Sequence, residues 1–566
     1  MIPPSSQKFI VEGQQVLNGK VTVSGSKNAA LPILCAALLT KEPVILKNVP
    51  DIADIHSLIE IFHSMKVKAE FKKNSVTIDA SNLDPSKIEE KLICKMRASI
   101  LLLAPLLARL GQAKLPFPGG CVLGKRSVTA HTFALKALGA KIIDETHSLN
   151  LKVQKLQAAQ IIMPEMSVTA TENAVMLAVF APGTTQIRLA AAEPHVQDMC
   201  NFLNQMGAKI KGIGTNFLTI DGVKSLHGSA LENGYSVTGD YLEAGTVAIA
   251  GLLNNGTVEI DGIETSQLDS LWVNLEEAGA NYKLYPNRLI VKGGQKLNAI
   301  PMLRTAVYPS FATDLQAPFS VLLTQAHGQS KVFETLFEGR LSYLLELEKM
   351  GAKIQLLNPH QAIINGPAAL RGVPIASCDI RAGAAMVLAA LCAHGTTEIS
   401  NIYYIDRGYE NLEGKLQALG AKIKRVKAGS RSHSRHWQTP PSHPGQYASP
   451  LHGIFSKPSL FQYGDDYTCY QRHSGSLQNP PTLLPDNRRC WPSGCHDGQL
   501  LGPKPLNPAH SRPTVLRPLF PDHPAKGKHC SHTVLGTQLN CYSHYQNIVP
   551  GSGPGETENQ ESPPQI

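Results

Sequence analysis

Charge is scarce in this chain. Only 17% of its 566 residues are charged, and the net charge is a mild +9 at pH 7. The basic residues form no stripe, which excludes the electrostatic footprint of a nucleic-acid binder. Long apolar runs are also missing. The longest, "AALPILCAALL" (29–39) and "SILLLAPLLARL" (99–110), fall short of the roughly 18 to 20 residues that cross a bilayer, so they read as buried helices. The opening "MIPPSSQKFIVEG" has no basic segment followed by an apolar core and does not read as a secretory signal. The six cysteines of the first 429 residues, Cys35, Cys94, Cys121, Cys200, Cys378 and Cys392, include no CxxC pair. Reduced thiols in a cytoplasm fit this spacing better than a disulfide framework. No membrane partner, no nucleic-acid partner, no metal and no cofactor are expected.

What the chain does have is a repeat. A helix-ending glycine recurs in "KALGAKI", "NQMGAKI", "EEAGANY", "EKMGAKI" and "QALGAKI", at Gly139, Gly207, Gly279, Gly351 and Gly420, with a worn copy, "HSMKVKAEF", at Lys66. Glycine suits the left-handed turn that closes a helix, and the residues after it suit an entering strand. A second junction keeps the same period at Glu42, Gly111, Gly183, Gly256, Gly328 and Gly395. Each copy follows a run so apolar on all sides that it reads as a buried helix. Six such helices require six sheet-and-helix units, and a period near 70 residues is too long for a simple solenoid. The fold class expected is α/β, with two inside-out domains of three units each around buried helices.

Fourteen residues before each second junction stand Asn28, Arg97, Thr169, Leu242, Asp314 and Arg381, the expected helix starts. Asp314 suits an N-cap, but Arg97, Arg381 and the neighbouring Lys27 oppose the positive end of a helix dipole. Two readings stand at this point. Either the helix starts converge on a phosphate-bearing ligand, or these are scattered surface charges. "FPGGCVLGKRSVTAH" (117–131) raises a parallel question. Cys121, between two glycines and the cations Lys125 and Arg126, is either an ordinary small residue in a turn or a thiol with a lowered pKa. "GSKNAA" lacks the GxxxxGK[ST] spacing of a nucleotide-hydrolysing loop.

The ordered motifs "VSGSKNAALPIL", "MRASILLLAPLLAR", "PGGCVLGKR", "SVTATEN", "FATDLQA", "ETLFEGR", "CDIRA" and "IDRGYENLEGKLQALGAKI" resemble the enolpyruvyl transferases over about residues 8–427. The resemblance implies transfer of enolpyruvyl from phosphoenolpyruvate to the 3′-hydroxyl of UDP-N-acetylglucosamine, with release of phosphate, in cytoplasmic peptidoglycan precursor synthesis. It implies that Cys121 protonates or captures the enol carbon and is open to alkylation by fosfomycin. Lys27, Arg126 and Arg407 would clamp phosphoenolpyruvate, with Asn28 beside Lys27. Asp314 would accept the hydroxyl proton, and Asp379 and Arg381 would support the intermediate. Arg97, Arg126, Ser127, Val128, Thr129, Ala130, Ser167, Val168 and Leu336 would contact the UDP-sugar. The chain departs from the family pattern at Ser127, Thr129, Glu165 and Ala312, which bears on nucleotide binding rather than on the reaction. The sister reaction, on shikimate 3-phosphate, fits less well because it goes with Lys-Ser in place of Lys27-Asn28 and without the thiol loop, and a non-catalytic member whose basic, proline-rich tail recruits partners fits poorly with intact Lys27, Cys121, Asp314 and Arg407.

The expected division is a domain at 27–238 and a second domain at 239–427 that includes 1–26. Residues 428–566 keep neither junction and hold 20 of the 39 prolines. Such a segment cannot offset its ordering entropy by apolar burial, so a disordered tail, not native to the protein, is expected.

Overall fold

The computed structural model describes residues 7–119, 127–144 and 148–427. Cys121, Lys125, Arg126 and the tail 428–566 lie outside the described residues.

The fold is built from the two junctions. At Gly139 the backbone takes φ 101°, and at Lys66, the worn copy, a lysine accepts φ 59° in the same place. Both close a helix in the left-handed region, where glycine alone escapes a Cβ clash. The helices so closed, Ala53–Ser64, Thr129–Ala137, Pro194–Gln205, Asp269–Glu277, Leu344–Lys349 and Leu412–Ala418, form an outer set. Antiparallel strands follow the turns, as in Lys68–Lys72 against Ser75–Asp79. The described residues contain six sheets, five of four strands and one of three.

The apolar runs form the inner helices Lys27–Ala37, Leu103–Leu110, Val168–Ala178, Tyr241–Leu253, Thr313–Gln325 and Ile380–Cys392. Tyr241–Leu253 buries every residue but its last, and Ile380–Cys392 every residue but its first. Their stability comes from burial, which contributes about 1.5–3 kcal/mol for each large apolar side chain. One expectation needs correction. The second copy does not start as an α-helix at Arg97, because Arg97–Leu102 is a 3-10 helix that turns into the α-helix at Leu103. Pro105, which has no N–H to bond the Leu101 carbonyl, stands in the first turn of that α-helix, a position that suits it.

Buried apolar residues form two separate clusters. One runs from Ala29 to Val237, and the other joins Phe9–Val23 to Tyr241–Ile423. The N-terminal strands complete sheets of the second cluster. Gln7–Glu12 pairs antiparallel with Thr396–Ser400 and Lys422–Lys427, and Gly19–Thr22 runs parallel to Thr257–Asp261.

Candidate active site

The first inner helix begins at Lys27, whose side chain is buried with its Nζ 2.8 Å from Oδ2 of Asp54. Asp54 stands in the first turn of the Ala53–Ser64 helix and belongs to the same core. Arg407 comes from the other core and donates its Nε to Oδ1 of Asp54 at 2.8 Å. Burial alone would raise the Asp54 carboxyl, but Lys27 and Arg407 overcome it and hold the group below the usual carboxylate range. Burial pushes the Lys27 ammonium down against the pull of Asp54, and the charges of Arg407 and Arg381 push it further. Lys27 and Arg407, from two cores, therefore share one carboxylate, and the charge of Arg381 also reaches Lys27. Asn28 lies beside them in the first helical turn.

A second network sits on the inner helices of the second core. Asp314 is in the first turn of Thr313–Gln325, after Ala312 as N-cap. Its carboxylate does not cap the helix. It accepts Arg340 Nη2 on Oδ1 at 2.6 Å and Arg381 Nε on Oδ2 at 3.2 Å. Burial opposes ionisation, yet Arg340 and Arg381 hold the Asp314 carboxyl well below the ordinary range. The neighbouring helix Ile380–Cys392 is capped by Asp379, whose Oδ1 accepts the backbone N–H groups of Arg381 at 2.7 Å and Ala382 at 2.8 Å. The Arg381 guanidinium lies over the Tyr409 ring, 5.0 Å from its centroid. Together the two networks hold four cations, Lys27, Arg340, Arg381 and Arg407, against Asp54 and Asp314. Asp379 and Glu334 also act on Arg340, and Asp240 on Arg381, so what suits a ligand with both carboxylate and phosphate is the gathering of guanidinium and ammonium donors rather than a net charge.

The third group lines the first core. Arg97 donates Nη2 to the Ser127 carbonyl at 2.8 Å. Ser127 Oγ accepts the Thr129 N–H at 3.0 Å and donates to Thr129 Oγ1 at 2.7 Å. This local turn starts the Thr129–Ala137 helix, which has Val128 as its N-cap and Ala130 buried, so the departure at Ser127 and Thr129 still yields an ordered helix start. Ser167 is the N-cap of the Val168–Ala178 helix. Between the two, buried His131 accepts from Asn173 Nδ2 on Nδ1 at 2.9 Å, which leaves Nε2–H to donate to Thr169 Oγ1 at 3.1 Å. Burial, aided by the charge of Arg97, lowers the imidazole to about 3, so it is neutral. On the second core, Leu336 is set by Glu334, whose Oε1 accepts the Leu336 N–H at 2.9 Å while its Oε2 accepts from Thr313 Oγ1 at 2.7 Å.

Sequence reasoning missed Asp54, Glu334 and Arg340. Arg340 ends the motif "ETLFEGR", and Glu334 begins it, so position in a motif could have flagged both. Asp54, in "DIADIHSL", carries no such signal. Cys121 and Arg126 cannot be placed against these networks, since they lie outside the described residues.

Six units around buried helices, with cations gathered at the helix starts, define the enolpyruvyl transferase class. The chain belongs to the family described as EPSP synthase (3-phosphoshikimate 1-carboxyvinyltransferase), whose model matches residues 11–416. The UDP-N-acetylglucosamine 1-carboxyvinyltransferase of Bradyrhizobium diazoefficiens is 44% identical over 427 residues, covering 74% of this chain and 98% of that relative. The protein of the same name from Treponema denticola is 41% identical over 425 residues, 74% of this chain and 99% of its own. Among solved structures, the enolpyruvyl transferase NikO from Streptomyces tendae matches with a TM-score of 0.67 at 25% identity, covering 75% of this chain and 99% of that one.

Proposed function

We propose that the chain transfers the enolpyruvyl group of phosphoenolpyruvate to the 3′-hydroxyl of UDP-N-acetylglucosamine and releases inorganic phosphate. The observation that carries this reading is the Lys27–Asp54–Arg407 bridge between two cores, with Arg381 within electrostatic reach. A small anionic substrate held there would be met by cations from both cores. The names of the relatives supply the acceptor. The family model carries the name of the sister reaction on shikimate 3-phosphate, which is the second reading.

The reaction adds a proton to C3 of phosphoenolpyruvate and forms a bond from the sugar oxygen to C2. The tetrahedral intermediate then loses phosphate as C3 gives up a proton and the double bond returns. Lys27, Arg407 and Arg381 neutralise the carboxylate and the departing phosphate. Asp314, kept ionised by Arg340 and Arg381, accepts the hydroxyl proton. A carboxylate with so low a pKa is a weak base, so this transfer belongs late in C–O bond formation, when the hydroxyl has become acidic. Asp379 fixes Arg381 by capping its helix. Cys121 serves as the acid at C3 or as a covalent trap, and Arg126 completes the clamp. Arg97, Ser127, Val128, Thr129, Ala130, Ser167, Val168 and Leu336 receive the UDP-sugar.

Residues 27–238 and 239–427 with 1–26 act as two domains that close on the substrates. The product feeds peptidoglycan synthesis, and through it cell shape and division, from the cytoplasm. Among the described residues no helix is long and apolar enough to cross a membrane. The test is phosphate release from phosphoenolpyruvate with UDP-N-acetylglucosamine and with shikimate 3-phosphate in parallel. Release only with the shikimate ester would overturn the first reading in favour of the second.

A further inference from the structure

Consecutive core residues show that the chain passes between the two apolar clusters twice, between Val23 and Ala29 and between Val237 and Tyr241. These two passages bind each other. Gly25 and Gly239 form an antiparallel bridge, Ser26 N–H donates to the Thr238 carbonyl at 2.7 Å, and Asp240 N–H donates to the Ser24 carbonyl at 2.8 Å. Each glycine lies against a carbonyl of one core. A Cβ on Gly25 would stand 1.6 Å from the Asn48 oxygen, and one on Gly239 1.8 Å from the Gly262 oxygen. Neither site admits a side chain.

Each core also sends one carboxylate to the crossing. From the first core, Asp198 accepts the Thr238 N–H on Oδ2 at 3.0 Å and the Tyr235 hydroxyl on Oδ1 at 2.6 Å. From the second, the fully buried Glu243 accepts the Ser24 N–H on Oε2 at 3.4 Å. Its other oxygen pairs with Lys415 Nζ, which also donates to Ser24 Oγ at 2.7 Å. Lys415 lies on the Leu412–Ala418 helix, eight residues past Arg407. Between them Glu410 reaches the first core by accepting from Asn74 Nδ2 at 2.7 Å. The same short segment therefore touches the hinge at Lys415, the opposite core at Glu410 and the anion cluster at Arg407.

We infer that Glu243 and Lys415, with Asp198 opposite, are positioning residues that set the angle of a two-strand hinge and so the register in which Arg407 meets Lys27. Glu243 and Lys415 fix Ser24 to the second core, and Asp198 fixes Thr238 to the first. Loosening the clamp spreads the open form over more conformations, so a smaller fraction is ready to close and the apparent affinity falls by that fraction. Turnover at saturating substrate changes less, because the closed form is the same.

The inference rests on the closure reading above. The experiment uses the full chain as wild type, as the double variant Glu243→Gln/Lys415→Met and as Ser24→Ala. The double variant leaves no unpaired buried charge, and Ser24→Ala removes only the hydroxyl that Lys415 bonds. Solution scattering is recorded against UDP-N-acetylglucosamine, with steady-state kinetics beside it. The wild type is expected to compact, whereas both variants need about tenfold more ligand, with KM raised about tenfold and kcat within about threefold. If the double variant does not fold, Ser24→Ala carries the test alone. Variants that compact and turn over as the wild type does overturn the clamp and leave closure standing. A wild type that never compacts removes closure and the clamp with it.

Discussion

Arg407 and Asp54 join the two cores through a 2.8 Å contact from Nε to Oδ1, and the other oxygen of the same carboxylate holds Lys27. Two cations are thus set near each other by a buried acid, ready for an anion. Asp54→Ala leaves both without their partner. Removing one member of a buried pair costs about 3 kcal/mol, and misplaced cations lower kcat/KM about 100-fold. Urea denaturation and phosphate release check the two effects. Asp54→Asn, which keeps the shape but not the charge, should fall between the wild type and the alanine variant on both. An alanine variant with wild-type kcat/KM would show that Asp54 does not organise the cluster.

Arg340 governs the ionisation of Asp314. In Arg340→Met the burial that already opposes the carboxylate acts with only Arg381 against it, so the Asp314 pKa rises. Loss of kcat/KM on acidification should therefore set in at higher pH in the variant than in the wild type. Stability follows the same sign. A depressed folded-state pKa contributes stability above the unfolded value of about 3.9, and that stability is lost as pH falls toward the folded value. The variant should lose less on acidification than the wild type. A profile that superimposes on that of the wild type would separate Asp314 from the rate.

How far the sequence shows these features depends on their range. The turn at Lys66 and the glycine turns were legible because a left-handed helix end is a local event, and a period of about 70 residues repeats it. The helix starts at Lys27, Asp314 and Arg381 were legible for the same reason. The partners of those side chains were not. Asp54 is 353 residues from Arg407, and Arg340 is 26 from Asp314, distances at which no periodic pattern records a contact. Asp314 itself shows the gap. A first-turn aspartate suggests a cap from local chemistry, but two arginines from other elements redirect it. The 3-10 start at Arg97 was hidden because an apolar run looks alike in either helix type.

Glu172 predicts a second pH dependence, of opposite sign. It is fully buried in the Val168–Ala178 helix, and its Oε1 has no hydrogen-bond partner among the described residues. Burial raises its carboxyl well above the ordinary range, and the charge of Glu193 adds to the effect. A raised folded-state pKa contributes stability that is full below the unfolded value of about 4.3 and is lost as pH rises through the folded value. Every tenfold difference in proton affinity between the folded and unfolded chain is worth about 1.4 kcal/mol. Glu172→Gln removes the titration, so its stability curve should be flatter and should cross above the wild type on the alkaline side. Urea midpoints from pH 5 to pH 9 measure this. Parallel curves would mean that Glu172 titrates alike in both states.

Cys121 is the last test, and among the described residues burial quiets the competing thiols. Burial raises Cys200 and Cys392 to about 12, and Cys378, for which burial is again the first cause, to about 11. At neutral pH these carry almost no thiolate, the form that attacks an epoxide. Cys121, with Lys125 and Arg126 close in sequence, is the thiol proposed to protonate or capture the enol carbon. Fosfomycin should therefore alkylate Cys121, and faster when UDP-N-acetylglucosamine is bound. Cys121→Ser should lose most activity, because a hydroxyl is a far weaker acid and nucleophile than a tuned thiol. Cys121→Asp keeps a proton donor but reacts poorly with the epoxide, so it should stay active and resist the inhibitor. Peptide mapping of the inactivated protein decides the matter. A label on half-buried Cys94, whose Sγ lies 3.6 Å from the Phe117 carbonyl, or a fully active Cys121→Ser enzyme would reduce Cys121 to a turn residue and leave the proton at C3 without a donor.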